Sequence, residues 1–99
     1  MTKRATVAEQ RHADRVADLG CWVCRVHLGV FTKCEIHHIK SGVVGIGRRS
    51  KLIIGLCPIH HRLGGHGVAL HAGVKTWEAR FGRQIDMVRE IENELGVAA

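Results

Sequence analysis

The stretch Cys34-Glu35-Ile36-His37-His38-Ile39, read together with Leu56-Cys57-Pro58-Ile59-His60-His61, decides the fold. Each half carries a histidine pair. The first pair lies in a strand-like alternation, where neighbouring side chains point to opposite faces. The second pair lies three and four residues behind a cysteine, past a proline suited to the first turn of a helix. Neighbours on a helix are turned from each other by roughly 100°. Each pair can therefore send its two imidazoles to different places. His60 is expected to close a structural zinc site, and His61 to help hold a second, catalytic ion.

The zinc expectation rests on spacing. Cys21-Trp22-Val23-Cys24 and Cys57-Pro58-Ile59-His60 supply three cysteines and a histidine, a Cys₃His set suited to tetrahedral zinc. Two residues between ligands let both turn inward on one ion. Two such pairs are far more specific than a single Cys-x-x-Cys. Their wide separation is what a hairpin inserted between two knuckles produces. In small peptides, structural zinc is worth on the order of 10–16 kcal/mol, more than most whole domains have in reserve. A thioredoxin-like dithiol at Cys21 and Cys24 would need a βαβ context that the pattern does not provide. Cys34 is left over and reads as a small buried hydrophobe.

Around this centre, 99 residues suggest one small domain, 1–99, of a size that often needs a staple. A net charge of +6 favours a polyanionic partner, most simply nucleic acid. No apolar run is long enough to span a membrane. Met1-Thr2-Lys3-Arg4 leads into a mixed polar segment unlike a signal peptide, so a reducing, cytoplasmic setting is expected.

Residues 6–19 read as a helix, with a Thr6/Glu9 capping box and Gly20 as its stop. Arg25 to Gly29 reads as a turn out of the knuckle. Strands are expected at 30–32, 34–39 and 52–56, then a short helix over about 58–63, broken by Gly64-Gly65-His66-Gly67. Helix resumes near Lys75, pauses at Gly82 and runs over 84–95, where Ile85, Val88, Ile91 and Leu95 share a face. The fold class is α+β: a zinc-stapled ββα-metal finger, motif core 21–66, with flanking helices at about 6–19 and 75–95.

A strand–strand–helix finger with histidines on both strand and helix can hold one divalent ion over a phosphodiester. Such chemistry needs a Lewis acid on the phosphate and the 3′ leaving oxygen, and a base for water; histidine suits the second task near neutral pH. From the residues alone, either His37 or His38 could face His61. Lys40, Arg48, Arg49 and Lys51 in the glycine-bearing loop 40–51 could neutralise phosphates, with no aromatic there to stack on a base. His12 and His27 read as ordinary surface or core histidines.

Ile36-His37-His38-Ile39, the second strand and Leu56-Cys57-Pro58-Ile59-His60-His61 resemble the His-Asn-His (ββα-metal, or His-Me finger) endonucleases. The likeness is closer to one branch, the phage recombination-enhancement, RecA-dependent nucleases. It spans roughly 18–85 and includes Trp77-Glu78-Ala79-Arg80-Phe81-Gly82, which is similar to that branch's aromatic-Glu-x-x-aromatic-Gly signature. The resemblance implies a metal-dependent DNA endonuclease acting with a recombinase filament in a bacterial host cell. It implies His37 as a metal ligand, His38 as the general base, His61 as the ligand on the helix, and His71 as an additional ligand in preference to His66. It also implies magnesium or another divalent ion for catalysis beside the structural zinc. The middle Asn of the family name is absent. The sole Asn is Asn93, and Ser50 or Lys51 stands near the middle position. A zinc module that binds nucleic acid without cutting it is the alternative.

Overall fold

The computed structural model describes residues 6–39 and 52–96. Lys40, Arg48, Arg49, Ser50 and Lys51 lie outside the described residues, so the expected phosphate-tracking loop and the middle-Asn position do too. Helix α1 covers Val7–Leu19 and is followed by α2, Trp22–Leu28. Strands β1, Glu35–His38, and β2, Ile53–Leu56, come next. A π-helical turn at Ile59–Leu63, a 3₁₀ turn at Leu70–Ala72, α3 at Val74–Phe81 and α4 at Gln84–Leu95 complete the order.

The start of α1 is set locally. Thr6 accepts from the Glu9 N–H at 3.1 Å, and the Glu9 carboxylate accepts from the Thr6 N–H at 3.2 Å. This reciprocal cap is worth about 1 kcal/mol. Gly20 ends the helix at φ 78°, and a Cβ there would lie 2.7 Å from both the Phe31 ring and the Thr32 carbonyl. Only glycine meets both demands. The chain therefore turns at once into Cys21, which caps α2.

Two expectations fail here. Arg25 to Gly29 is not a turn but mostly the body of α2, because Cys21 supplies an N-cap and Gly29 an αL C-cap. Residues 30–32 form no strand. Among the described residues the sheet has two strands, antiparallel, with Glu35 opposite Leu56 and His37 opposite Ile54.

All four residues of β2 are buried, while β1 is half-buried throughout. β2 thus carries the core, and its run of Ile53, Ile54 and Leu56 packs with Val16, Val23, Leu70, Trp77, Met87, Val88 and Ile91 in one apolar cluster. Each such side chain is worth about 1.5–3 kcal/mol on burial. Gly55 stands opposite Ile36 because a Cβ would lie 2.7 Å from Cys34 Sγ and 2.8 Å from the Gly20 carbonyl.

Helices α1 and α2 are tied to the last turn of α4. Arg25 forms a two-bonded pair with Glu94, and Arg15 donates to the Leu95 carbonyl at 2.6 Å. The architecture is α+β, a strand–strand–helical-turn finger braced by helices before and after it. No helix among the described residues is long and apolar enough to cross a membrane.

Candidate metal centres

Cys21, Cys24, Cys57 and His60 converge behind β2. Cys21 and Cys24 open α2, and the Cys24 N–H donates to Cys21 Sγ at 3.5 Å. Cys57 follows β2 directly, and Pro58 turns the chain so that His60 comes back over it. Cys24 Sγ and Cys57 Sγ are 3.9 Å apart. His60 Nδ1 lies 3.2, 3.6 and 3.8 Å from the sulfurs of Cys57, Cys24 and Cys21.

Tetrahedral zinc with bonds of about 2.3 Å to sulfur and 2.0–2.1 Å to nitrogen needs edges of about 3.5–3.8 Å. The donor set fits. Burial pushes the Cys21 thiol up to about 12, with Cys57 and Cys24 adding to the rise and backbone N–H groups opposing it. A thiolate in that position needs a cation beside it. Burial, then the charges of Arg80 and His27, hold His60 below its ordinary value, which keeps its ring neutral for ligation. All three cysteines are buried, so four ligands close the site.

The second cluster is His37, His61 and His71, each offering one nitrogen within 4.8 Å of the others. His37 comes from β1, His61 from the π-helical turn and His71 from the 3₁₀ turn. The Gly64 N–H donates to the Ile59 carbonyl at 2.9 Å, the wide register that makes the turn π rather than α. Consecutive residues His60 and His61 belong to different clusters.

His37 Nδ1 is 3.2 Å from His61 Nε2, and His71 Nε2 is 3.0 Å from that same nitrogen. Nitrogens bound at about 2.0–2.1 Å to one ion would be separated by distances of this size. The outer nitrogens are held as well. His61 Nδ1 donates to Glu35 Oε1 at 2.8 Å, and His37 Nε2 donates to Gln84 Oε1 at 2.8 Å. Metal-ligating histidines characteristically have such partners.

Arg62 grips Glu35 with three bonds, and Arg62 followed by His61 holds the Glu35 carboxyl down at about 2. Burial lowers His37 to about 4, with the Gln84 bond opposing and the neighbouring imidazoles adding to the fall. It is therefore neutral at pH 7 and can donate a lone pair. The three-imidazole set suits borderline first-row ions better than magnesium, which prefers oxygen.

A cavity of about 530 Å³ opens here, bordered by His37, His38, His61, His71 and Gln84, with apolar wall from Ile36, Leu70 and Val74. His38 lies beside the cluster without belonging to it. Neighbours on a strand face opposite ways, yet His37 and His38 both border the opening. His66 is not brought in: its Nδ1 is 3.3 Å from the Ala72 carbonyl on the surface.

Two groups at the site were not singled out from sequence. Glu35 was readable, since residues i and i+2 share a strand face and Glu35 stands two before His37. Gln84 was not, because nothing local links it to a histidine 47 residues away. The Trp77-to-Gly82 segment is scaffolding. Trp77 is wholly buried, Phe81 packs edge-on against His60 and His27, and Glu78 accepts from the Gln84 N–H at 2.8 Å.

A family model described as recombination enhancement, RecA-dependent nuclease matches residues 5–95. No curated protein matches the chain.

Proposed function

The chain belongs to the recombination enhancement, RecA-dependent nuclease family, and from that membership we propose that it is a metal-dependent DNA endonuclease of the His-Asn-His type. The observation that carries the reading is the convergence of His37, His61 and His71 beside a cavity that His38 also borders. A divalent ion held there would act as a Lewis acid on the scissile phosphate and the departing 3′ oxygen. His38 takes the proton of the attacking water, whose oxygen bonds to phosphorus as the bond to the 3′ oxygen breaks. Imidazole is suited to that exchange near neutral pH. Glu35 and Gln84 keep two of the three ligand rings from turning.

Zinc at the Cys₃His cluster fixes the backbone from which His61 projects. Lys40, Arg48, Arg49 and Lys51 neutralise DNA phosphates. The substrate is DNA carrying a RecA-type recombinase filament, and the protein is a phage product working in the cytoplasm of a bacterial host.

The test is cleavage of DNA with and without RecA and ATP, by the wild type and by His38→Ala. The wild type is expected to cut only with the filament, and His38→Ala to fold, bind DNA and cut it roughly 10²–10⁴-fold more slowly. Unchanged cutting by His38→Ala removes it as the base. Equal cutting with and without RecA contradicts the recombinase partner. One bound zinc, no second ion and no cleavage under any condition would establish a binding module instead.

A further inference from the structure

We propose that Gln84 is a positioning residue for the three-histidine site: it turns the Nδ1 lone pair of His37 toward the ion, and Glu78 holds Gln84 in place to do so. The proposal rests on the metal-dependent reading above and deepens it. Gln84 is the first residue of α4 and lies outside the strand–strand–turn finger. The finger alone therefore does not define its own metal site.

A neutral imidazole has one N–H and one lone pair. His37 Nε2 is 2.8 Å from Gln84 Oε1, which only accepts, so the hydrogen of His37 sits on Nε2 and its lone pair on Nδ1. His61 is set in the opposite sense. The Glu35 carboxylate takes a hydrogen from His61 Nδ1, which leaves the lone pair on Nε2. Two lone pairs then face each other across 3.2 Å, an arrangement with no hydrogen between them. His71 can give one hydrogen to His61 Nε2 at 3.0 Å, and none remains for His37 Nδ1. A cation satisfies all three nitrogens at once.

Without Gln84 the His37 ring has another choice. It can carry its hydrogen on Nδ1 and donate it to His61 Nε2. That closes the cluster as a hydrogen-bonded pair and removes a metal ligand. Gln84 decides between these two outcomes.

Gln84 is itself anchored. Its backbone N–H donates to Glu78 Oε2 at 2.8 Å, which satisfies one of the open donors at the start of α4. Glu78 sits between Trp77 and Phe81, both buried in the core, so its carboxylate stands on a rigid turn of α3. The acidic residue of the signature thus reaches the metal site through one glutamine.

The experiment combines ¹⁵N imidazole spectra with titration of the zinc-loaded protein by Co²⁺, on the wild type, Gln84→Ala and Gln84→Glu. The wild-type His37 is expected to carry its hydrogen on Nε2. In Gln84→Ala the hydrogen moves to Nδ1 and Co²⁺ affinity falls by roughly 10–100-fold, the usual cost of losing an outer partner. Structural zinc and cooperative melting are retained. Gln84→Glu restores both readouts, because its carboxylate accepts the same hydrogen.

Gln84→Ala with an unmoved tautomer and wild-type Co²⁺ affinity overturns the proposal and leaves the nuclease reading standing. A folded Gln84→Glu that fails to rescue Gln84→Ala also overturns it. A wild type that takes up no second ion, yet shifts its His37 hydrogen in Gln84→Ala, supports orientation by Gln84 and overturns the metal-dependent function.

Discussion

The two clusters meet at one turn, where His60 belongs to the first and His61 to the second, yet burial divides them. Cys21, Cys24 and Cys57 are 5% exposed or less and meet His60 behind β2. His71 is exposed, and its cluster borders an open cavity. Four ligands around one point close a site, whereas three beside a cavity leave a position for substrate. The difference teaches that neighbouring histidines on one turn can serve opposite purposes, because consecutive residues of a helical turn point roughly 100° apart. Removing the first site should cost the fold, and removing the second should cost only chemistry.

The largest effect should come from the closed cluster. Cys57→Ala, or full chelation, should abolish the cooperative thermal transition, since structural zinc is worth on the order of 10 kcal/mol. Circular dichroism melting with metal analysis checks this, and a transition that survives chelation would erase the contrast.

His61→Ala removes the nitrogen that both other histidines approach. It should abolish second-ion uptake and cleavage while retaining zinc and a melting transition near the wild type's. His38→Ala should retain both ions and lower the cleavage rate by roughly 10²–10⁴-fold, the usual contribution of a general base. Single-turnover rates with ion-binding isotherms separate the two variants.

A smaller effect concerns acid. Burial holds His37 at about 4 in the folded chain, against an ordinary value of about 6.5. Between those limits the unfolded chain binds the proton more readily, so stability falls as pH drops through that window and levels off below it. Melting temperature against pH should therefore be flatter over this range in His37→Gln than in the wild type. Parallel curves would mean that His37 is not buried as described.

The smallest effect belongs to Arg62. It is half-exposed and braces Glu35 from the solvent side. Arg62→Ala should barely move the melting temperature but should let the Glu35 carboxyl rise from about 2 toward its ordinary value, read by carboxyl NMR titration. An unmoved titration would give His61 the larger share in holding it down.

Much of this was legible in the sequence because it is local. The Thr6/Glu9 cap, the Cys-x-x-Cys and Cys-x-x-His spacings and the Gly82 break each depend on residues within a few positions of one another. The structure brings Cys21, Cys24, Cys57 and His60 together, and likewise His37, His61 and His71, as groups that could hold a metal ion, and leaves His66 aside. What stayed hidden depends on context. α2 was obscured because Cys21, read from sequence only as a ligand, is also an N-cap. Residues 30–32 have strand-like composition, but Val30 and Phe31 are exposed and no partner strand reaches them among the described residues. Gln84 meets His37 only after α3 and α4 have folded back.

The most direct measurement is Co²⁺ titration of the zinc-loaded protein, followed by absorption and by DNA cleavage in the presence of RecA and ATP. One further ion should bind without displacing zinc, show no thiolate-to-cobalt charge-transfer band, and bring cleavage with it. Uptake that occurs only as zinc leaves, with a thiolate band and no cleavage, would contradict the separation of a closed cluster from an open one.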